Sequence, residues 1–107
     1  EGLDPNPNLG AYSISKAALI SMTKVLARDL GQHGIQVNCI APGLIKTRFS
    51  EPLFSDPEKY EHYMKRIWLK RHGQPDEIAH MALLLASHRG DFITGQTIAV
   101  DGGETMV

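Results

Sequence analysis

Tyr12 and Lys16 stand four residues apart in the stretch "GAYSISKAALISMTK", residues 10–24. On a helix this spacing places the two side chains one above the other on the same face. The chemistry such a pair offers is acid–base. A phenol hydroxyl can give or take a proton at a reacting oxygen, and an ammonium one turn away favours the phenolate. A free phenol titrates near ~10, and bringing one towards ~7 takes about 4 kcal/mol of preferential stabilisation of the anion. Helix surfaces also use this spacing freely, so the pair by itself is equally a surface contact. Pro42-Gly43 and Asp101-Gly102-Gly103, taken singly, are turn chemistry. The five histidines form no metal motif: His80 and His88 lie eight apart without HExxH or partner cysteines, so no metal site is expected.

The elements that must position these residues follow from periodicity and punctuation. Residues 4–10, "DPNPNLG", read as extended because each proline biases its predecessor away from helix. A helix is expected over 11–30, with Ala17, Leu19, Ile20, Met22, Val25, Leu26 and Leu30 as a broad apolar stripe, stopped by Gly31 and Gly34. Residues 35–41, "IQVNCIA", read as a short strand ended by Pro42-Gly43. A long connection carries an amphipathic helix over 56–68, with Asp56 as N-cap and Pro57 at the first position. Another helix opens at "QPDEIAHMALLLASH", and "QTIAV" reads as a final buried strand. Strand, helices and strand in this order predict a right-handed parallel crossover and an α/β layered fold. Two parallel strands cannot organise such a sheet alone, so exposed strand edges and an uncovered apolar face are expected.

Composition narrows the function classes. The chain has 107 residues, 42% of them hydrophobic and 21% charged, which suits one soluble domain or part of one. A formal net charge of −1 gives no basic excess for nucleic acid, and no apolar run is long enough to span a membrane. The run Lys65, Arg66, Lys70, Arg71 and His72 reads as a solvated helix face. Cys39, the single cysteine, reads as a small buried hydrophobe in a reduced, cytoplasmic setting, and the first residues read as neither secretion signal nor lipidation site.

Four segments in this order, "YSISKAAL" at 12–19, "VNCIAPGLIKT" at 37–47, "GQPDEIAHMALLLAS" at 73–87 and "ITGQTIAVDGG" at 93–103, carry a resemblance. Across essentially its whole length the chain resembles the carboxy-terminal part of the short-chain dehydrogenases/reductases. The resemblance implies the C-terminal part of a Rossmann-type doubly wound parallel sheet: its last two strands, the catalytic helix, a substrate-lid helix and the final crossover helix. Residues 1–107 would then be one portion of a single domain, without its dinucleotide-binding half. The implied activity is NAD(P)-dependent interconversion of an alcohol with a ketone or aldehyde. Tyr12 would be the general acid/base, and Lys16 would tune it and hold the nicotinamide ribose, both residues touching the cofactor. Pro42, Gly43, Ile45 and Thr47 would contact the nicotinamide carboxamide and pyrophosphate, with Gly43 letting the ring pass closely. The wording "APGLIKTRFS" is closest to NADP-preferring carbonyl and retinal reductases, which favours NADP over NAD.

The connection over 48–71 would be the substrate lid, and Phe49, Leu53, Phe54, Tyr60, Tyr63, Met64 and Trp68 favour a small lipophilic carbonyl or alcohol. The family's glycine-rich loop has no match here, and its catalytic serine would fall just before Glu1. The 107 residues alone are therefore expected not to turn over substrate. The family also implies a homo-oligomer, dimer or tetramer, with no nucleic-acid or membrane partner. The competing expectation is a truncated, non-catalytic relative that acts by associating with full-length subunits.

Overall fold

Small residues, more than large ones, decide how the first helix packs. The computed structural model describes residues 2, 3 and 7–106. Helix α1 (Gly10–Gly31) runs one residue beyond each expected end, and Gly34 closes it with a positive φ of 72°. Its buried residues are Ser13, Thr23 and Ala27. Thr23 satisfies its hydroxyl by donating to the Leu19 carbonyl one turn back, at 2.9 Å. A Cβ built on Gly95 would stand 3.4 Å from the Ala27 methyl, so the helix is drawn close to the segment around Gly95. The expected apolar stripe is only partly a packing face: Leu19, Met22, Val25 and Leu26 are exposed, while Ile20 and Leu30 are half-buried; Ile14, outside the stripe, is 71% exposed. The expectation of an uncovered apolar face is met on α1. Residues 7–9 form one turn of 3-10 helix instead of extended chain, and residues 4–6 of that expectation lie outside the described residues.

This helix belongs to the first of two compact units, made of the chain up to Cys39 together with Leu84–Ile98. Residues 35–38 of the expected strand are not strand. Side chains take the place of a backbone ladder there. Asn38 donates to the Ile93 carbonyl at 2.7 Å and accepts from the Gln96 N–H at 3.0 Å, and Gln36 donates to the carbonyls of Gly90 and Ile93. The Val37 N–H meets the Thr94 hydroxyl at 3.1 Å. Regular strand begins only at β1 (Cys39–Pro42), which pairs with β2 (Thr97–Val100). The Cys39 N–H donates to Gln96 and the Gly43 N–H to Val100, so partners advance in step and the pair is parallel. Cys39 is only half-buried.

The second unit comprises Ile40–Leu83 and the chain from Ala99 onward. It holds α2 (Glu51–Phe54) and α3 (Pro57–Arg66), while α4 (Pro75–Ala86) begins in it. Asp56 caps α3 as expected, accepting from the Lys59 N–H at 3.2 Å, and this bond first of all holds its carboxyl below the usual value. The helix stops short of the expected residue 68. Ile67 turns to extended backbone and is 1% exposed, burying its side chain beneath Gly102. No helix of the described residues is long and apolar enough to cross a membrane.

Asp101 organises the turn after β2. Its carboxylate accepts from the Gly103 N–H at 2.9 Å and from the Thr105 N–H and hydroxyl at 3.0 and 2.7 Å. Burial works against that carboxylate, but these bonds outweigh it and keep its pKa below the ordinary value. A Cβ on Gly43 would lie 2.6 Å from the Asp101 Cα. Glycine at 43 is therefore required by the backbone of this turn, a packing reason distinct from the expected passage of a cofactor ring. We predict that Gly43→Ala destabilises the protein by about 1–3 kcal/mol through overpacking. The measurement is the urea unfolding midpoint, and an unchanged midpoint would show that the turn yields at no cost.

Candidate active site

In the first unit, α1 brings Tyr12 and Lys16 together. The Lys16 ammonium lies over the Tyr12 ring, 5.0 Å from its centroid. Tyr12 is 44% exposed, and an exposed cation–ring contact is worth roughly 0.5–1 kcal/mol. Ser15 donates its hydroxyl to the Tyr12 carbonyl at 2.7 Å, and Ser13 is buried beneath the pair's own turn. The helix thus presents a proton-bearing hydroxyl and a cation on one face, as the four-residue spacing requires.

In the second unit, Pro42 closes β1 and leads into the segment that holds Gly43, Ile45 and Thr47. Ile45 forms a parallel bridge with Gly73: the Gly73 N–H donates to Leu44 at 2.9 Å and the Lys46 N–H to Gly73 at 3.1 Å. Ser50 ties the same segment from the other side. Its hydroxyl donates to the Ile45 carbonyl at 2.6 Å and accepts from the Thr47 N–H at 2.9 Å. The Thr47 hydroxyl stands 3.3 Å from that of Ser50. A nicotinamide dinucleotide needs donors for its ribose and an apolar wall for its ring. Within the second unit, the Thr47 hydroxyl and the Ile45 side chain have those chemistries.

A cleft of about 450 Å³ in the second unit is lined by Ile45, Trp68, Leu69 and Met106, with Arg71, Glu77 and Asp101 as its charged members. Arg71 holds Glu77 in a two-pronged pair at 2.6 and 2.9 Å, and Glu77 also caps α4 by accepting from the Gln74 N–H at 2.8 Å. The Arg71 bonds, then the Gln74 N–H, pull the Glu77 carboxyl down to about 2. Arg66 pairs with Glu104 at 3.5 Å, yet burial raises the Glu104 carboxyl above its ordinary value despite Arg66 and a hydrogen bond from Tyr63.

The basic run is not one helix face, since α3 ends at Arg66, but Lys65, Arg66, Lys70 and Arg71 are exposed as expected. Arg66 and Arg71 have carboxylate partners, and half-buried His72 meets the Tyr60 hydroxyl at 2.9 Å through Nδ1. Lys70 lies over the Trp68 ring at 5.7 Å. Of the expected lid residues, Phe54 and Tyr60 pack together, whereas Phe49 is 90% exposed. Sequence reasoning gave His72 no role beyond surface charge. Its signal was weak, because its hydroxyl partner Tyr60 lies twelve residues back on α3.

Residues 2–105 match the family described as Enoyl-(Acyl carrier protein) reductase. Dehydrogenase/reductase SDR family member 4 from Bos taurus is 44% identical over 99 residues, 92% of this chain and 36% of that protein. The chain thus spans a little over a third of the length of such curated relatives. A 4-hydroxyisoleucine dehydrogenase solved in complex with NADH superposes with a TM-score of 0.96 at 37% identity, covering 99% of this chain and 44% of the other. YwfH, an NADPH-dependent reductase of bacilysin biosynthesis, gives 0.88 at 35% identity over 99% of this chain and 44% of the other.

The Glu77 carboxyl titrates below its ordinary 4.5, so its contribution to stability is present above that value and is lost as pH falls towards about 2. We predict that Glu77→Gln lowers stability at pH 7 and that its denaturation curve converges with that of the unmodified protein towards pH 2. Curves that stay parallel over that range would refute the assignment.

Proposed function

The chain belongs to the short-chain dehydrogenase/reductase family, with an α/β fold of Rossmann type, and from this we propose that it carries the proton-handling part of an NAD(P)-dependent oxidoreductase. The reaction is the interconversion of an alcohol with a ketone or aldehyde. The observation that supports it is the Tyr12–Lys16 pair on α1, with the ammonium held over the phenol ring. A bound nicotinamide dinucleotide would supply or accept the hydride. In reduction, the Tyr12 hydroxyl gives its proton to the carbonyl oxygen; in oxidation, its oxygen takes the proton from the alcohol. Lys16 stabilises the phenolate left behind and offers donors to a ribose hydroxyl. Ile45 provides an apolar wall, and Pro42, Gly43 and Thr47 form the adjoining segment whose shape Ser50 holds.

Both nicotinamide forms occur among the related structures, NADH with 4-hydroxyisoleucine dehydrogenase and NADPH with YwfH. NADP is the form proposed here, on the resemblance of the stretch "APGLIKTRFS" to NADP-preferring reductases of the family. The apolar side chains of the α2–α3 region favour a small lipophilic substrate. A second reading, action through association with other subunits, draws support from the exposed Ile14, Met22 and Val25 of α1. Val25→Asp should then shift the protein to a smaller species in analytical ultracentrifugation.

In the intact protein we expect Tyr12→Phe to lower kcat for carbonyl reduction by about 10²–10⁴-fold. Cofactor binding, followed by NADPH fluorescence, should survive that substitution and weaken in Lys16→Met. Near-normal turnover by the Tyr12→Phe protein would sink the proposal.

A further inference from the structure

The segment between the two helices and α4 is tied back on itself by an aromatic cluster. Phe54 ends α2, Tyr60 lies on α3, and His72 follows in the loop beyond α3. The Phe54 ring lies 5.4 Å from Tyr60 and 5.0 Å, edge-on, from His72, and all three residues are half-buried. His72 makes two polar contacts, Nδ1 to the Tyr60 hydroxyl at 2.9 Å and Nε2 to the Gln74 side-chain nitrogen at 3.2 Å. A neutral imidazole carries one proton, and an amide nitrogen only donates. With the Gln74 amide turned this way, Nε2 is the bare acceptor and the imidazole proton belongs on Nδ1, donated to the Tyr60 oxygen.

The position of His72 gives this bond its consequence. The next residue, Gly73, is bonded through both its N–H and its carbonyl to Leu44 and Lys46. Ser50, just before α2, is bonded to Ile45 and Thr47. Residues 50–73 thus form a loop whose two ends close on the same strand-end segment, 44–47. Ser50 fastens one end, and the His72–Tyr60 bond folds α3 back onto the other.

We propose that His72, as its Nδ1–H tautomer, is a positioning residue that with Tyr60 clamps α2 and α3 to the segment 44–47. This rests on the oxidoreductase reading, in which that segment meets cofactor and the helices cover substrate. The clamp sets the fit of the substrate cover and leaves the proton transfer at Tyr12 to proceed as before. Its loss therefore raises KM and spares kcat.

The test uses the intact protein with ¹⁵N-labelled histidine, at a pH where the imidazole is neutral. The expected spectrum shows His72 as the Nδ1–H tautomer, set by the Gln74 donor at Nε2, and Tyr60→Phe keeps that tautomer but shifts the Nδ1 resonance as its acceptor is lost. In the same variant KM for a lipophilic ketone should rise about fivefold, the worth of one net hydrogen bond, with kcat unchanged within twofold. His72→Leu should behave alike, and His72→Asn, which keeps a donor near the Nδ1 position, should restore KM. Proteolysis within residues 50–73 should quicken in Tyr60→Phe and His72→Leu and stay near the unmodified rate in His72→Asn. An Nε2–H tautomer in the unmodified protein, an unchanged KM in Tyr60→Phe, or a fall in kcat at constant KM would each overturn the clamp. If the unmodified protein turns over no carbonyl substrate, the oxidoreductase reading fails instead, and the tautomer and proteolysis results still decide whether the clamp exists.

Discussion

Two backbone hydrogen bonds at Gly73 hold the working parts of the second unit in register. The N–H of Gly73 reaches Leu44 and its carbonyl receives Lys46. Because the chain between these partners contains α2 and α3, the bonds close a long loop and pin both helices to the end of β1. Arg71 and Glu77, on either side of Gly73, reinforce the closure with a two-pronged ion pair, and Glu77 also caps α4. One short stretch, 71–77, thereby fixes a strand end, a helix start and the return of the loop that carries α2 and α3. Remove the Gly73 bonds, and the orientation of His72 towards Tyr60 has nothing to refer to.

Local chemistry was legible in the sequence where the partners are close along the chain. Asp56 and Pro57 announce the start of α3, and Pro75 the start of α4, because caps and first-turn prolines act within four residues. The Tyr12–Lys16 contact was legible for the same reason. What escaped was decided by partners further away. Gln36 and Asn38 look like strand residues until Ile93 and Gln96 arrive to take their amides. Ile67 continues a helical pattern but leaves the helix to be buried under the Gly102 turn. Arg66 and Arg71 are exposed as their types suggest, but their carboxylate partners Glu104 and Glu77 are not named by the pattern. A pattern of residue types carries helix periodicity, not the identity of a distant counter-ion.

The two faces of α1 illustrate a further limit. Periodicity correctly finds an apolar stripe, and the usual inference is that the stripe packs inward. Here the face held by the first unit is Ser13, Thr23 and Ala27, where small side chains allow close backbone approach. Most of the larger apolar residues are left exposed. A helix with a small-residue face and a large-residue face offers two candidate packing faces, and hydrophobicity alone ranks the wrong one first.

The segment 42–47 is shaped from three directions before any ligand is involved: Gly73 bonds Leu44 and Lys46, Ser50 bonds Ile45 and Thr47, and Asp101 crowds Gly43. Each contact uses groups that a flexible loop would leave to water, so the conformational entropy of ordering the segment is met during folding. A cofactor meeting such a segment need not order it, which is the physical meaning of preorganisation. The arrangement also explains why Asp101 stays ionised despite partial burial. Its bonds to Gly103 and Thr105 require the carboxylate, and the turn they form is the one whose backbone leaves Gly43 no room for a side chain. The charge on Asp101 and the missing Cβ at residue 43 are thus two sides of one packing constraint.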